Sequence, residues 1–356
     1  MRYVPHFKLL PRPTLVVDSF VRTPHCTLEL SHWPGNRTPA HLKRDTSTEA
    51  VIAWLRADGD STRSIEQVTV DHFDVDGLLA AWCAIFPAAA LEHAQLLTQA
   101  ASTEDFDRFE TVESLELTFD LLAIEQDFAC EAAHAGVSGA DLWTAHLYAS
   151  VLPAVERCLA GRFAHELSWR SEFTQVMLSL DSLRTGAGGT EVLRRPDLDL
   201  ALVTSEHALH PYAINAALPE TRLIVCVPGR RTQFLYRYES FVEMVSRNVP
   251  GRAPLSPMAE VLNRHEQNGV WIAEGMLAAH PRVLFFGGDA NINDSSITPG
   301  ALIELIAGYF LDHALARRSL WTPSMGLPLE DDKHPEMLVR PPWMAKHGHP
   351  RVGGAS

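Results

Sequence analysis

The sequence is short of cysteine, of basic residues and of long apolar runs, and each shortage removes a class of protein. Five cysteines (Cys26, Cys83, Cys130, Cys158 and Cys226) stand far apart, none at C-x-x-C spacing. That pattern suits neither a disulfide framework nor a zinc ribbon and fits a reducing compartment, so a cytoplasmic location is expected. Lysine and arginine number 30 against 44 acidic residues, a formal charge of −14. Such a chain repels long nucleic acid and anionic membranes unless a local basic patch overrides the balance. The longest apolar stretch, 77–91, is interrupted by Pro87 and is too short to span a bilayer. A Walker A lysine loop, a G-x-G-x-x-G turn opening a helix and a G-x-S-x-G elbow are also absent.

Much else is present. The 356 residues are 46% hydrophobic, enough for a sizeable core, and the length suits two domains. The patterning predicts an α/β protein: a parallel-sheet N-terminal lobe with a helical segment over 1–185, then a smaller α/β lobe over 190–320. An extended tail is expected over 321–356. Short strands are expected at 15–18, 26–30 and 68–70, and a helix after 45–49, where Asp45 or Thr46 can cap and Glu49 can close a capping box. Helices are expected at 78–86 and 88–101, with helix through most of 111–181. Beyond the glycine-rich linker at 186–189, strands at 198–204, 222–227, 232–238 and 283–286 alternate with helices at 240–247, 257–267 and 299–316.

The most informative stretch is 68–79, in which the β-branched run Val68-Thr69-Val70 ends in Asp71, His72, Asp74, Asp76 and Gly77 before an apolar helix. Strand, acidic loop and helix is how an open α/β sheet presents ligands at the carboxyl ends of its strands. Neighbouring carboxylates repel unless a cation intervenes, and oxygen ligands with an imidazole suit Mn2+ first, with Mg2+ or Zn2+ as alternatives. An EF-hand does not fit, because its twelfth position would be Cys83. His72, Asp74 and Asp76 are therefore the expected metal ligands, with His32 and Asp45 as further candidates. Asp105 and Asp107 read more readily as helix caps.

His-x-Asp-x-Asp-Gly after a strand, leading into a small-residue helix with Ala80 and Ala81, resembles the first metal motif of the DHH phosphoesterase superfamily. That resemblance implies a dinuclear Mn2+ site between two α/β domains and hydrolysis at phosphorus. The chain has no Asp-His-His triplet; its nearest counterpart is Thr204-Ser205-Glu206-His207, which gives His207 a catalytic place beside Asp74 and Asp76. Over most of its length the chain also resembles an uncharacterised bacterial family, through segments 30–36, 45–49, 72–77 and 237–242.

Five arginines fall between 230 and 252, and guanidinium forks bind phosphate bidentately, so Arg230, Arg231 and Arg237 are candidate substrate residues. Gly287 and Gly288, at an expected strand end, would allow close backbone approach to the same ligand. The combined expectation is a metal-dependent hydrolase of a small phosphoester or phosphoanhydride, a homodimer being compatible with it. The same residues could serve C–N bond cleavage or a biosynthetic step, or a non-catalytic relative that binds a nucleotide or a protein.

Overall fold

A computed structural model describes residues 1–57, 64–161, 166–229, 231–287, 294–315 and 320–327. Two sheets organise it, each with its own apolar core.

The first sheet is built from β1 (Arg2–Tyr3), β2 (Thr14–Val17), β3 (Cys26–Leu30) and β4 (Gln67–Thr69). Its order is β1-β4-β2-β3 and every pairing is parallel. The carboxyl ends of β2, β3 and β4 therefore lie along one edge, where the site is assembled. Helix α1 (Ser47–Ala57) crosses over between β3 and β4. It starts as expected: Glu49 N donates to Thr46 Oγ1 (3.1 Å) while Glu49 Oε2 accepts from Thr46 N (3.3 Å), a reciprocal capping box.

Helix α2 (Val75–Ile85) follows β4 directly, with Asp74 as N-cap accepting from Gly77 N at 2.8 Å. Residues 75–84 are all buried, so this helix is covered on every side and, Asp76 apart, runs through the middle of the first core with apolar side chains. Pro87 begins a new helix, α3 (Pro87–Glu92), and α4 (Ala94–Asp105) returns to the carboxyl edge of the sheet. The long helical stretch resolves into α5 (Val112–His134), α6 (Ala140–Val151), α7 (Val155–Leu159) and α8 (Glu166–Thr185).

The second sheet comprises β5 (Glu191–Arg195), β6 (Leu200–Thr204), β7 (Arg222–Val227), β8 (Arg231–Tyr236), β9 (Gly269–Ala273) and β10 (Arg282–Gly287). The order is β5-β6-β7-β8-β10-β9, with only the β6–β7 pair parallel. That parallel connection runs through α9 (Pro211–Ala217), and α10 (Leu255–Asn263) and α11 (Pro299–Leu315) cover the opposite face. Among the described residues no helix is long and apolar enough to cross a membrane.

The helix expected at 240–247 does not form. Tyr238–Ser240 makes one 3-10 turn, and the amides beyond it bond across to the first half of the chain. Glu243 N donates to His32 O (2.8 Å), and Val245 N and Ser246 N donate to Asp45 Oδ1 (2.6 and 2.9 Å). Donors that a helix would use internally are thus spent on joining the halves. Phe106, Tyr238, Phe241 and Trp321 add an apolar seam there, with Trp33 packed against it.

Candidate metal centre

Each strand of the parallel edge delivers a polar side chain to one point. Asp18 follows β2 with a left-handed backbone (φ 42°), a conformation that aspartate tolerates better than most residues. His32 lies two residues past β3; His72 and Asp74 follow β4. Asp76 sits in the first turn of α2, and Glu104 and Asp105 end α4. Asp18, His32, Asp74, Asp76, Glu104 and Asp105 are each at most 6% exposed. Their ligand atoms form three groups, each within 4.8 Å: Asp18–His72–Asp74, Asp18–His32–Asp76 and Asp74–Glu104–Asp105. These buried groups could hold metal ions.

Both imidazoles are oriented in the same way. His72 Nδ1 is bonded to Asp71 Oδ1 at 2.8 Å, which turns Nε2 inward to 2.8 Å from Asp74 Oδ2 and 3.2 Å from Asp18 Oδ2. The His72 Nε2 proton goes to Asp74, so the Asp18 contact is an ion pair without an aligned hydrogen bond. His32 Nδ1 donates to Asp45 O, and its Nε2 faces Asp18 Oδ1 (3.4 Å), Asp105 Oδ2 (3.6 Å) and Asp76 Oδ2 (3.8 Å) while making no hydrogen bond itself. With an acceptor on Nδ1, each imidazole presents Nε2 to the centre, the orientation of a metal-binding histidine held by the outer partners such sites use; the Nε2 lone pair is exposed when its proton leaves.

The N-terminus of α1 points at the same place. Ser47 N and Thr48 N donate to the two oxygens of Asp76 (2.7 and 2.8 Å), and Ser47 Oγ donates to Asp18 Oδ1 (2.8 Å). These unspent first-turn amides, with the positive end of the helix dipole, partly offset the crowd of carboxylates. The offset is incomplete. Burial and the neighbouring Asp18 charge raise the Asp76 carboxyl to about 7 in spite of His32. Burial alone would depress the His32 imidazole, but Asp18, Asp105 and Asp76 outweigh it and hold it at about 10. His72 is likewise driven well above its ordinary value, burial being overcome by Asp74, Asp18 and Asp71. Without a cation, protons held on His32, His72 and Asp76 offset part of this charge.

A family model described as a family of unknown function (DUF6687) matches residues 1–319. The chain belongs to that family. No curated protein matches it, and no solved structure does. The match spans both sheets and every member of the three groups, whereas the DHH resemblance stays confined to the stretch around 72–81.

The structure brings together four sequence candidates, His32, His72, Asp74 and Asp76. Asp45 does something else: its carboxylate takes the amides of 245 and 246 and the Ser246 hydroxyl, and its carbonyl orients His32. His207 is exposed, packed over the Gly188 turn and outside the three groups. Arg237 is fully buried, ion-paired to Glu239 at 2.6 Å and bonded to the carbonyls of Leu218 and Glu220, so it holds the second sheet together and cannot reach a substrate. Arg231 and Gly287 share the far end of the β8–β10 pair, since Arg282 pairs with Leu235 and Leu284 with Gln233. That end lies roughly 20 Å along β8 from Tyr238, which flanks His32. Arg230 and Gly288 lie outside the described residues.

Sequence reasoning missed Asp18 as a ligand candidate. The available signal was an apolar strand ending in Asp-Ser at 18–19, the same texture as the strand ending in Asp71-His72. Asp105, read as a cap, instead faces His32 from the last turn of α4.

Proposed function

We propose that the chain is a divalent-metal-dependent hydrolase of a small phosphoester or phosphoanhydride, with a two-ion centre that shares Asp18. The observation that carries the reading is the disposition of Asp18: Oδ2 belongs with His72 and Asp74, while Oδ1 belongs with His32 and Asp76. One carboxylate set between two inward-facing imidazoles would serve two cation positions, one with each oxygen. Mn2+ is the best match to a mixed oxygen and imidazole donor set, with Mg2+ or Zn2+ as alternatives.

Bound cations would lower the pKa of coordinated water from 15.7 toward about 7 and neutralise charge on phosphoryl oxygens. The chain's own residues supply the rest. Asp71 and the Asp45 carbonyl hold the imidazoles at fixed tautomers, and α1 fixes Asp76 through two amides. Trp33 packs 4.8 Å from the His72 ring and edge-on to Phe20, an apolar wall beside the centre. The side chains of His72 and Asp71, 14% and 25% exposed, mark the approach for a small anion.

The test is turnover of a panel (aryl phosphate monoesters and diesters, pyrophosphate and dinucleotides) with Mn2+, set beside elemental analysis of the same preparation. Close to two ions per chain and Mn2+-dependent turnover of one substrate class are expected. Two ions without turnover on any of the panel would remove the phosphoester assignment and favour a metal staple or another metal-dependent reaction. A metal-free protein after incubation with Mn2+ would remove the whole reading.

A further inference from the structure

One hydroxyl beside the centre has no bonding partner and no structural use. Tyr148, on α6, is completely buried, and its hydroxyl oxygen makes no hydrogen bond. The ring is fixed on two sides, stacked on Tyr3 (centroids 4.4 Å apart, planes at 15°) and edge-on to Phe73 at 5.1 Å. The hydroxyl is therefore aimed, and what it is aimed at can be located from Gly77.

A Cβ built on Gly77 would stand 2.8 Å from Tyr148 Oη, 3.1 Å from Asp74 Oδ1 and 3.3 Å from Asp18 Oδ2. Three oxygens, one phenolic and two carboxylate, thus crowd the point where a Cβ would stand, and the phenolic hydroxyl reaches the same corner of the centre as Asp74 and Asp18. Gly77 lies in the first turn of α2 and not in the left-handed region, so any residue could take its backbone conformation. Glycine is explained there by space alone. Asp74 Oδ1 already accepts from Gly77 N, and Asp18 Oδ2 faces His72. The phenol alone still has a proton to give. A buried hydroxyl left unpaired has lost its hydration without compensation, which a fold tolerates where something else occupies the partner position.

We propose that Tyr148 is a positioning residue, whose hydroxyl donates a hydrogen bond to a water molecule between Asp18 and Asp74. This inference rests on the metal reading of the preceding subsection, because the water is the one that the Asp18–His72–Asp74 group would share with a cation. Donation from the phenol fixes the orientation of that water and leaves one of its own protons directed at a carboxylate.

Tyr148→Phe keeps the ring and removes only the hydroxyl, and three readouts are taken on it. By calorimetry its Mn2+ affinity falls about 3- to 10-fold. In metal-free form its melting temperature is unchanged or about 1–3 °C higher, because an unsatisfied buried donor has gone. With a substrate found on the panel, kcat falls at least 10-fold with KM within 2-fold. Gly77→Ala, whose methyl would stand 2.8 Å from Tyr148 Oη and push the hydroxyl off its aim, gives the same direction on Mn2+ affinity. A lower metal-free melting temperature with unaltered Mn2+ affinity would make Tyr148 a packing residue and overturn the proposal. Unaltered affinity together with unaltered melting would overturn it too. Wild-type protein that binds no Mn2+ sinks the metal reading itself; wild-type binding that Tyr148→Phe leaves intact sinks only this inference.

Discussion

The two sheets treat buried charge in opposite ways. In the second, each buried cation is matched: Arg237 with Glu239, Arg222 with the carbonyls of Leu198 and Gly251 over the Phe310 ring, and Arg252 with three carbonyls inside a cage of Tyr236, Phe241 and Trp321. At the carboxyl edge of the first sheet, Asp18, Asp71, Asp74 and Asp76 converge on two imidazoles, with Asp105 beside them. Balanced burial serves architecture. A surplus of one sign, buried and rigidly oriented, is an arrangement that folding alone does not favour and that an external cation would relieve.

The sharpest way to break this contrast is to disturb each region and ask what fails. Arg237→Ala leaves Glu239 buried with only the partly exposed Arg247 facing it at 2.9 Å, and should destabilise by about 3 kcal/mol, the lower end for a broken buried pair. Mn2+ affinity of the folded protein should stay within 2-fold. Denaturant titration and calorimetry check the two halves of this expectation. A loss of Mn2+ binding at constant stability would place Arg237 at the centre after all.

Asp18→Asn is the complementary change. It keeps the shape and the bond from Ser47 while removing the charge that both groups share, so Mn2+ affinity should fall about 100-fold, roughly 2.7 kcal/mol. Metal-free stability should fall, since, in spite of burial, His32 and His72 hold the Asp18 carboxyl well below its ordinary range and lose that partner. If instead both ions remain bound, Asp18 is an architectural residue like Arg237 and the contrast dissolves.

Acidity gives a third comparison, between the metal-free and metal-loaded protein. A histidine raised on folding contributes stability that is full below its unfolded pKa and is lost as pH climbs through the folded one. His32, held at about 10, and His72, raised as well, therefore weaken the metal-free fold between about pH 6.5 and 10. Asp76, raised to about 7, acts in the same sense from about pH 4 to 7. Binding a cation replaces these protons, so the rise in melting temperature with Mn2+ should be larger at pH 9 than at pH 7. Calorimetry at the two values checks it; an equal rise would mean that the imidazoles are already neutral before metal binds.

How much of this was legible in the sequence follows from the range of the forces involved. The loop after β4 stood out because strand, acids and helix are contiguous, and the α1 capping box because its partners are three residues apart. Asp18 and Asp105 come together only through the strand order β4-β2-β3 and the return of α4, neither of which a single sequence encodes locally. The absent helix at 240–247 is the same lesson, since its amides found better acceptors in His32 and Asp45, roughly 200 residues away. The arginine cluster misled because density along the chain is not density in space: Arg237 lies buried beside Glu239 just past the end of β8, and Arg231 is exposed at the start of that strand.

The smallest expected effect tests that last point. Arg231 is exposed at the start of β8, with Arg282 the charge that bears on it. Arg231→Ala should shift stability by no more than about 0.5 kcal/mol, as surface changes away from buried networks do. Because β8 carries Arg231 away from the centre, KM for a small phosphorylated substrate should change less than 2-fold. A KM raised 10-fold with kcat intact would show that the substrate spans both sheets and binds there uniformly in ground and transition states. In that case the second sheet would be part of the site, and its balanced charges would describe only its interior.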